Sequence, residues 1–201
     1  MPDRLAADAA GITRAAELLR GGELVAFPTD TVYGIGCRAG DAVALDRLFA
    51  AKRRPADRAI PMLIGSLAEA DARGFRVSEL ATGLAARFWP GGLTLVLPRM
   101  GGSESQAFRI PDHPVALALL AAAGPLSVTS ANRSGEPDTL DADDVAIAFA
   151  DIDEPVATVD GGRVPGGVAS TVLDLSADRP RLLREGPVSR AELETAIGPI
   201  D

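Results

Sequence analysis

The sequence predicts an α/β domain built on a mixed β-sheet. Short apolar strand signals alternate with capped helix signals from one end of the 201 residues to the other. Hydrophobic residues make up 47% of the chain, which is enough for a substantial core. Because the chain shows no internal repeat and no long linker, we expect a single domain over residues 1–201, with its core over about 12–197.

The first half of the chain contains four helix signals and three strand signals. The helix signals are an amphipathic stretch stopped by two glycines, a segment capped by Asp41, a capping box formed by Ser66 and Glu69, and a segment capped by Ser78. The predicted helices therefore cover 12–20, 42–52, a segment from 66, and 79–89. The predicted strands, which are short apolar runs, cover 24–27, 60–64 and 93–97.

The second half continues the same alternation. A polar, glycine-containing loop is predicted at 100–106, and Asp141 and the pair Ser189 and Glu192 are helix-start signals. The predicted helices are 114–123, 142–150 and a final helix from 190. The predicted strands are 108–110, 126–128, 156–159, 168–175 and 181–183.

Composition excludes several classes of protein. The net charge of −8 argues against a protein that binds nucleic acid mainly through phosphate contacts. The single cysteine, Cys37, excludes an internal disulfide, and one histidine and one cysteine do not make a usual zinc site, so we expect no metal held by the protein. The sequence contains no apolar run long enough to span a membrane and no export signal at its start. We therefore expect a cytoplasmic protein that does not engage a membrane.

The sequence does not support a dinucleotide-binding turn, a phosphate-binding loop or the nucleophile elbow of a serine hydrolase. Residues 34–39 satisfy the GxGxxA pattern of a dinucleotide-binding turn, but the helix signal begins only at Asp41, beyond the pattern. The chain has no GxxxxGK[ST] phosphate loop and no GxSxG nucleophile elbow. His113 lies between Asp112 and Pro114, a setting more typical of a turn than of a catalytic base.

Lys52 is the only lysine among the 20 basic residues. Lysine is a compact charge on a flexible stem, whereas arginine is a flat fork that can hold two oxygens. The pair Lys52 and Arg54 therefore offers one cation of each kind to a polyphosphate or a carboxylate, and we expect Lys52 to face a cleft. The alternative is that these residues only complement the dipole at the end of a helix.

Several loops that follow strands are dense in hydroxyl, amide and glycine residues. Taken singly, each could be an ordinary turn in which such side chains bond their own backbone. Together they are typical of a polar ligand site at the strand ends of an α/β sheet. These loops are 28–34, 127–135, 160–162 with 166–171, and 184–187.

The same segments, in order, resemble the YrdC-like family, the threonylcarbamoyl-AMP synthases. The matched motifs are Pro-Thr-Asp-Thr-Val-Tyr-Gly-Ile-Gly at 28–36, Lys-x-Arg-Pro at 52–55, Trp-Pro-Gly-x-Leu-Thr at 89–94, Arg-x-Pro-x-His-Pro at 109–114 and Ser-Ala-Asn-x-Ser-Gly at 130–135, followed by shorter elements at Asp160, Ser170 and Arg184. The resemblance implies a twisted mixed sheet with helices packed around it and a central polar cavity, in the short, single-domain form.

By this resemblance, the protein would make threonylcarbamoyl-AMP and pyrophosphate from L-threonine, bicarbonate or CO2, and ATP. Magnesium would arrive with ATP, and a separate transferase complex would pass the product to tRNA, which the chain itself would bind only indirectly or weakly. The reaction needs no protein nucleophile; it needs two anions to be positioned and phosphate charge to be neutralised.

The resemblance also implies residue roles. Lys52 and Arg54 would be catalytic and would hold the triphosphate. Ser130, Asn132 and Arg184 would complete the ATP site, whereas threonine would be bound by Thr29, Arg109 and Ser170. Further candidates are Thr31, Tyr33, Arg58 and Thr129; for Thr31 and Tyr33 a packed, hydrogen-bonded turn is an equal alternative.

The chain departs from the family pattern in two places. Arg58 and Ala59 replace a lysine and a proline, and the loop at 100–106 lacks a Val-Thr-x-Gly element. An alternative function is therefore a non-catalytic paralogue that binds nucleotide or double-stranded RNA. A third hypothesis is a small-molecule enzyme of another class on the same fold. This hypothesis would not explain Thr29 and Arg109, the residues that the resemblance assigns to threonine.

Overall fold

The structure is a computed structural model that describes residues 3–53, 59–152, 154, 156–165 and 168–201. Arg54 and Arg58, two of the predicted site residues, lie outside this range. No helix within it is long and apolar enough to cross a membrane.

Ten strands of the described residues form one mixed sheet in the order β1-β8-β2-β3-β7-β4-β6-β5-β9-β10. Among these strands four neighbouring pairs are parallel and five are antiparallel, so the predicted α/β class with a mixed sheet is confirmed. The strands are β1 (Arg4–Ala6), β2 (Leu24–Pro28), β3 (Tyr33–Arg38), β4 (Met62–Leu63), β5 (Leu93–Pro98), β6 (Ser105–Arg109), β7 (Leu126–Ser130), β8 (Val156–Asp160), β9 (Thr171–Asp174) and β10 (Arg181–Arg184).

Seven helices of the described residues pack around the sheet. They are α1 (Ala9–Arg20), α2 (Ala42–Lys52), α3 (Ala68–Asp71), α4 (Glu79–Phe88), α5 (Pro114–Ala123), α6 (Ala142–Ala148) and α7 (Arg190–Ile197). Asp41, Ser78 and Asp141 accept backbone N–H bonds at their helix starts, as predicted, and Ser189 and Glu192 form the predicted capping box.

The helices cover both faces of the first half of the sheet. Along β2, Leu24 and Ala26 pack towards α2 and α6, whereas Val25 and Phe27 pack towards α1 and α5. The second half differs, because α4 and α7 cover one face of β5, β6 and β9 through residues such as Leu95. The opposite face of these strands is therefore open to form a cavity.

Two strands were absent from the sequence prediction. β1 pairs with β8 at the sheet edge, and β3 occupies a segment that the polar pattern at 28–34 and the GxGxxA match had marked as a loop. The glycines of β3 are explained by close packing, because a Cβ on Gly34 or Gly36 would lie 2.8 Å from a methyl group of Val128. This segment is a strand and does not open a helix, so it is not a dinucleotide-binding turn.

The predicted capping box at Ser66 is wrong. α3 begins with Leu67 as its N-cap, and no side chain caps it. Glu69 instead accepts a hydrogen bond from the Gly65 amide, so its carboxylate is used on the turn before the helix. β6 also begins at Ser105, inside the predicted loop at 100–106, and β9 is shorter than the predicted 168–175.

Cys37 lies on β3 and is completely buried. Burial, with a smaller contribution from Asp41, raises the pKa of its thiol to about 12. Because only the thiolate is nucleophilic, we expect the folded protein to resist alkylation by iodoacetamide at pH 8. The protein unfolded in urea should react at once. Fast labelling under native conditions would contradict this burial.

Candidate active site

A cavity of about 380 Å³ lies on the open face of the second half of the sheet. Its walls come from β3, β4, β5, β6, β7, β9 and β10, from the turn between β2 and β3 and from the segment before β4. Side chains alternate along each strand, so on β5 Thr94 and Val96 line the cavity, whereas Leu93, Leu95 and Leu97 enter the core behind it. Seven predicted site residues line it: Thr29, Thr31, Arg109, Thr129, Ser130, Ser170 and Arg184.

Arg109 is held at one end of the cavity by three hydrogen bonds. Its Nη2 is 2.5 Å from Asp30 Oδ1, its Nη1 donates to Thr31 Oγ1 at 3.2 Å, and its Nε donates to the Gly91 carbonyl at 2.9 Å. The residue is only 7% exposed. The same Asp30 oxygen accepts the Asp112 amide at 3.1 Å, which ties the β2–β3 turn to the segment after β6.

Thr29 and Thr31 form the turn that carries Asp30. Thr29 Oγ1 donates to the Val32 carbonyl at 2.7 Å and lies 3.1 Å from Thr31 Oγ1. Both threonines are buried against the cavity. The two hydroxyls thus form hydrogen bonds within the turn, which is the packed-turn alternative considered for Thr31. Both residues also line the cavity.

Arg184 lies on β10 and reaches Ser170 beside β9. Its Nε donates to the Ser170 carbonyl at 2.9 Å, and its Nη2 donates to Ser170 Oγ at 3.3 Å. Ser170 Oγ is also 2.8 Å from Thr94 Oγ1. Partial desolvation, followed by the charge of Arg109, lowers the pKa of Arg184 below its ordinary value. The two guanidinium groups therefore repel each other across one cavity.

Lys52 does not face the cleft, so that prediction is wrong. The residue is 1% exposed, and its Nζ contacts the Ser130 carbonyl at 2.5 Å and also the Asn132 carbonyl. The reason is local, because α2 ends at Lys52 and the last turn of this helix lies against the loop that follows β7. The ammonium group of Lys52 thus fixes the position of the Ser130–Asn132 segment through contacts with its backbone carbonyls.

Ser130 is the member of this segment that lines the cavity. Its Oγ donates to Asn132 Oδ1 at 2.6 Å, and Asn132 Nδ2 in turn donates to the Glu136 carbonyl at 2.5 Å. Asn132 is 8% exposed and lies beside Ser130, outside the cavity lining. Asn132 and Lys52 therefore position Ser130.

Tyr33 is fully buried on the face that packs against α2. Its hydroxyl donates to the Gly162 carbonyl at 2.8 Å and accepts the Gly161 amide at 3.2 Å. Burial raises the pKa of this phenol. The geometry favours the packed turn over direct contact with a ligand.

Tyr33→Phe should therefore lower the free energy of unfolding by about 1 kcal/mol, because the hydrogen bonds to the Gly162 carbonyl and from the Gly161 amide are both lost. Urea unfolding measures this, and the apparent KM values for the substrates should stay unchanged. A large increase in a KM value at unchanged stability would restore Tyr33 to the binding site.

Sequence reasoning missed two polar residues at the cavity. Asp30 holds Arg109, and Thr94 pairs with Ser170. The sequence did contain a signal for Thr94, because it is the only polar residue in the apolar run of β5. In the structure this residue is 1% exposed. His113 is the N-cap of α5 and accepts the Val115 amide, as expected for a turn residue.

Comparison with known proteins identifies the family. Residues 17–186 match the sequence profile of the Sua5/YciO/YrdC family, described as "telomere recombination". The threonylcarbamoyl-AMP synthase of Bacillus subtilis is 42% identical over 98% of this chain and 60% of its own length. The synthase of Pyrococcus abyssi is 43% identical over 92% of this chain and 57% of its own length.

A solved structure of Pyrococcus abyssi Sua5 in complex with L-threonine superposes with a TM-score of 0.89 at 39% identity. The superposition covers 100% of this chain and 62% of the Sua5 chain. The chain thus spans about 60% of the length of these relatives. The profile match covers most of the chain, and the fold is shared throughout. The protein belongs to the Sua5/YciO/YrdC family.

Proposed function

We propose that the protein is an L-threonylcarbamoyladenylate synthase, a nucleotidyltransferase that makes threonylcarbamoyl-AMP and pyrophosphate from L-threonine, bicarbonate or CO2, and ATP. The observation that carries this proposal is the pair of guanidinium groups, Arg109 and Arg184, in one cavity. No carboxylate lines the cavity within the described residues. Asp30 pairs with Arg109 and compensates part of its charge, whereas no carboxylate contacts Arg184 among the described residues, so the cavity as a whole favours an anionic ligand.

Arg109 is suited to a carboxylate. A guanidinium has five N–H donors, and Asp30, Thr31 and Gly91 account for three of those on Arg109. Two donors remain, which is the number that a bidentate carboxylate accepts. Because the three protein contacts fix the plane of the fork, threonine would bind a preorganised group. Thr29 and Ser170 would line the space around its amino and hydroxyl groups.

The nucleotide end would lie towards Ser130 and Arg184. Ser130 presents a hydroxyl, Thr129 lines the same wall, and Arg184 supplies charge for the phosphates. Lys52 and Asn132 would act by holding Ser130 in place, and Arg54 would add its guanidinium to the triphosphate. Catalysis would consist of aligning the carbamate oxygen with the α-phosphorus and neutralising charge, with no covalent enzyme intermediate.

Magnesium would enter bound to the phosphates of ATP. The residues present fit this assignment, because the described part of the cavity lining offers hydroxyl groups and no cluster of carboxylates to cage the ion. Magnesium would supply neutralisation of the phosphate charge. The product would then pass to a tRNA threonylcarbamoyl transferase complex in the cytoplasm, and the net charge of −8 favours indirect contact with tRNA.

The test is pyrophosphate release from ATP by the purified protein, with and without threonine and bicarbonate. We expect release only when both co-substrates are present. ATP binding without release would indicate a nucleotide-binding paralogue and would contradict the proposed activity. Release that does not require threonine would indicate a different nucleotidyl transfer.

A further inference from the structure

The cavity joins residues that the family resemblance assigns to different substrates. Arg184 is assigned to the nucleotide and Ser170 to threonine, but Arg184 donates both to the Ser170 carbonyl and to Ser170 Oγ. Thr94, which has no assigned role, pairs with the same hydroxyl at 2.8 Å. We call Thr94, Ser170 and Arg184 the junction cluster.

Bond connectivity in the proposed product defines what must lie at such a junction. In threonylcarbamoyl-AMP, one carbon is bonded to the threonine nitrogen and, through an oxygen, to the α-phosphorus. That carbon comes from bicarbonate. A group of side chains that contacts both the amino acid and the phosphate must therefore lie next to this carbon and its oxygens.

The junction cluster has one hydroxyl hydrogen that its internal hydrogen bond does not use. Thr94 and Ser170 carry two hydroxyl hydrogens, and the hydrogen bond between them uses one. No further side-chain acceptor for the other is found among the described residues. Whichever hydroxyl donates to its partner, one hydrogen remains for a ligand. Arg184 adds a positive charge beside it.

Burial makes these donors effective. Thr94 is 1% exposed and Ser170 is 7% exposed, yet both line the cavity. Buried hydroxyls that are already fixed by a neighbour lose little freedom when a ligand binds. Thr94 also sits on β5 between two core leucines, so the strand holds its position.

We propose that the junction cluster is the binding site for the oxyanion derived from bicarbonate; this inference rests on the proposed function. Bicarbonate takes up one proton and loses water to give CO2, and the neutral threonine amine then bonds to the carbon of CO2 and releases one proton to solvent, which gives a carbamate. One carbamate oxygen then bonds to the α-phosphorus, and the bond from that phosphorus to pyrophosphate breaks. The spare hydroxyl and Arg184 hold the other carbamate oxygen, which becomes the carbonyl of the product.

The test compares Thr94→Val with Thr94→Ser. Valine keeps the shape and the strand preference but removes the hydroxyl, whereas serine keeps the hydroxyl. Pyrophosphate release is measured against bicarbonate concentration at saturating ATP and threonine. We expect Thr94→Val to raise the apparent KM for bicarbonate about tenfold, the value of one hydrogen bond, with the KM for ATP changed less than twofold. Thr94→Ser should stay within about threefold of the wild type.

An unchanged KM for bicarbonate, or an equal increase in the KM for all three substrates, would overturn the assignment. A second measurement does not depend on turnover: ¹³C-bicarbonate is titrated into each protein in the presence of threonine and followed by NMR. Line broadening that is lost in Thr94→Val and kept in Thr94→Ser supports the site, and equal behaviour of the three proteins contradicts it. A wild-type protein that binds bicarbonate but releases no pyrophosphate would refute the proposed function and leave the oxyanion site standing.

Discussion

Arg109→Ala is expected to raise the apparent KM for threonine by at least about 30-fold, because truncating a buried, hydrogen-bonded charge costs about 2–5 kcal/mol and each 1.4 kcal/mol is tenfold. The KM for ATP should change less than about threefold on the same grounds. The reason is geometric: Asp30, Thr31 and Gly91 fix the guanidinium at the cavity and leave two of its five donors for a ligand. Steady-state pyrophosphate release, with each substrate varied in turn, measures both constants.

Two controls separate binding from folding. Arg99→Ala removes an exposed arginine that pairs with Glu104 and does not line the cavity, so it should leave both KM values unchanged. Arg109→Ala also leaves Asp30 without its cation, and Asp30→Asn/Arg109→Ala removes that charge. If the double variant recovers stability without recovering threonine affinity, the loss is one of binding. An equal increase in both KM values would contradict the assignment of Arg109 to threonine.

Lys52→Ala is expected to destabilise the fold by about 3 kcal/mol and to abolish activity with it, because it leaves buried carbonyls without a donor and opens a cavity. The sequence predicts that Lys52 faces a cleft, and a cleft-facing lysine could be truncated with the fold intact. The structure reverses this expectation, since the ammonium of Lys52 is buried against the carbonyls of Ser130 and Asn132. Urea unfolding gives the stability change.

Lys52→Met is the matched variant, because it keeps most of the aliphatic stem and removes the charge. It should lose less stability than alanine but remain weak in ATP binding, since Ser130 is no longer held. A Lys52→Ala protein with unchanged free energy of unfolding and lost ATP affinity would contradict the role of Lys52 in positioning Ser130. It would return Lys52 to direct contact with phosphate.

Much of the fold could be predicted because local chemistry and tertiary structure agree. The predicted helix at 114–123 matches α5, and the aspartate and serine caps of α2, α4, α6 and α7 lie where the sequence indicated. β3 was missed because its glycines and threonine-rich approach carry turn chemistry, while its strand conformation depends on pairing with β2 and β7. The pairing with β7 is a long-range contact that no local pattern reveals.

The sequence predicted which residues belong to the candidate site, and the structure shows which of them line the cavity and which are buried beside it. Seven of the predicted residues line one cavity, but Lys52, Tyr33 and Asn132 are buried beside it. Sequence motifs cannot distinguish a side chain that faces a ligand from one that holds its neighbour. Thr94 and Asp30 were missed for the related reason that their importance lies in a single contact, with Ser170 and with Arg109 respectively.

The central claim is that one cavity joins threonine, a one-carbon oxyanion and the α-phosphate of ATP. The most direct measurement is mass spectrometry of the products formed from ATP, threonine and ¹³C-bicarbonate. The account predicts a threonylcarbamoyl-AMP that carries the label in its carbamoyl carbon. AMP and pyrophosphate without a labelled adduct would contradict it, because the cavity would then cleave ATP without joining the three substrates.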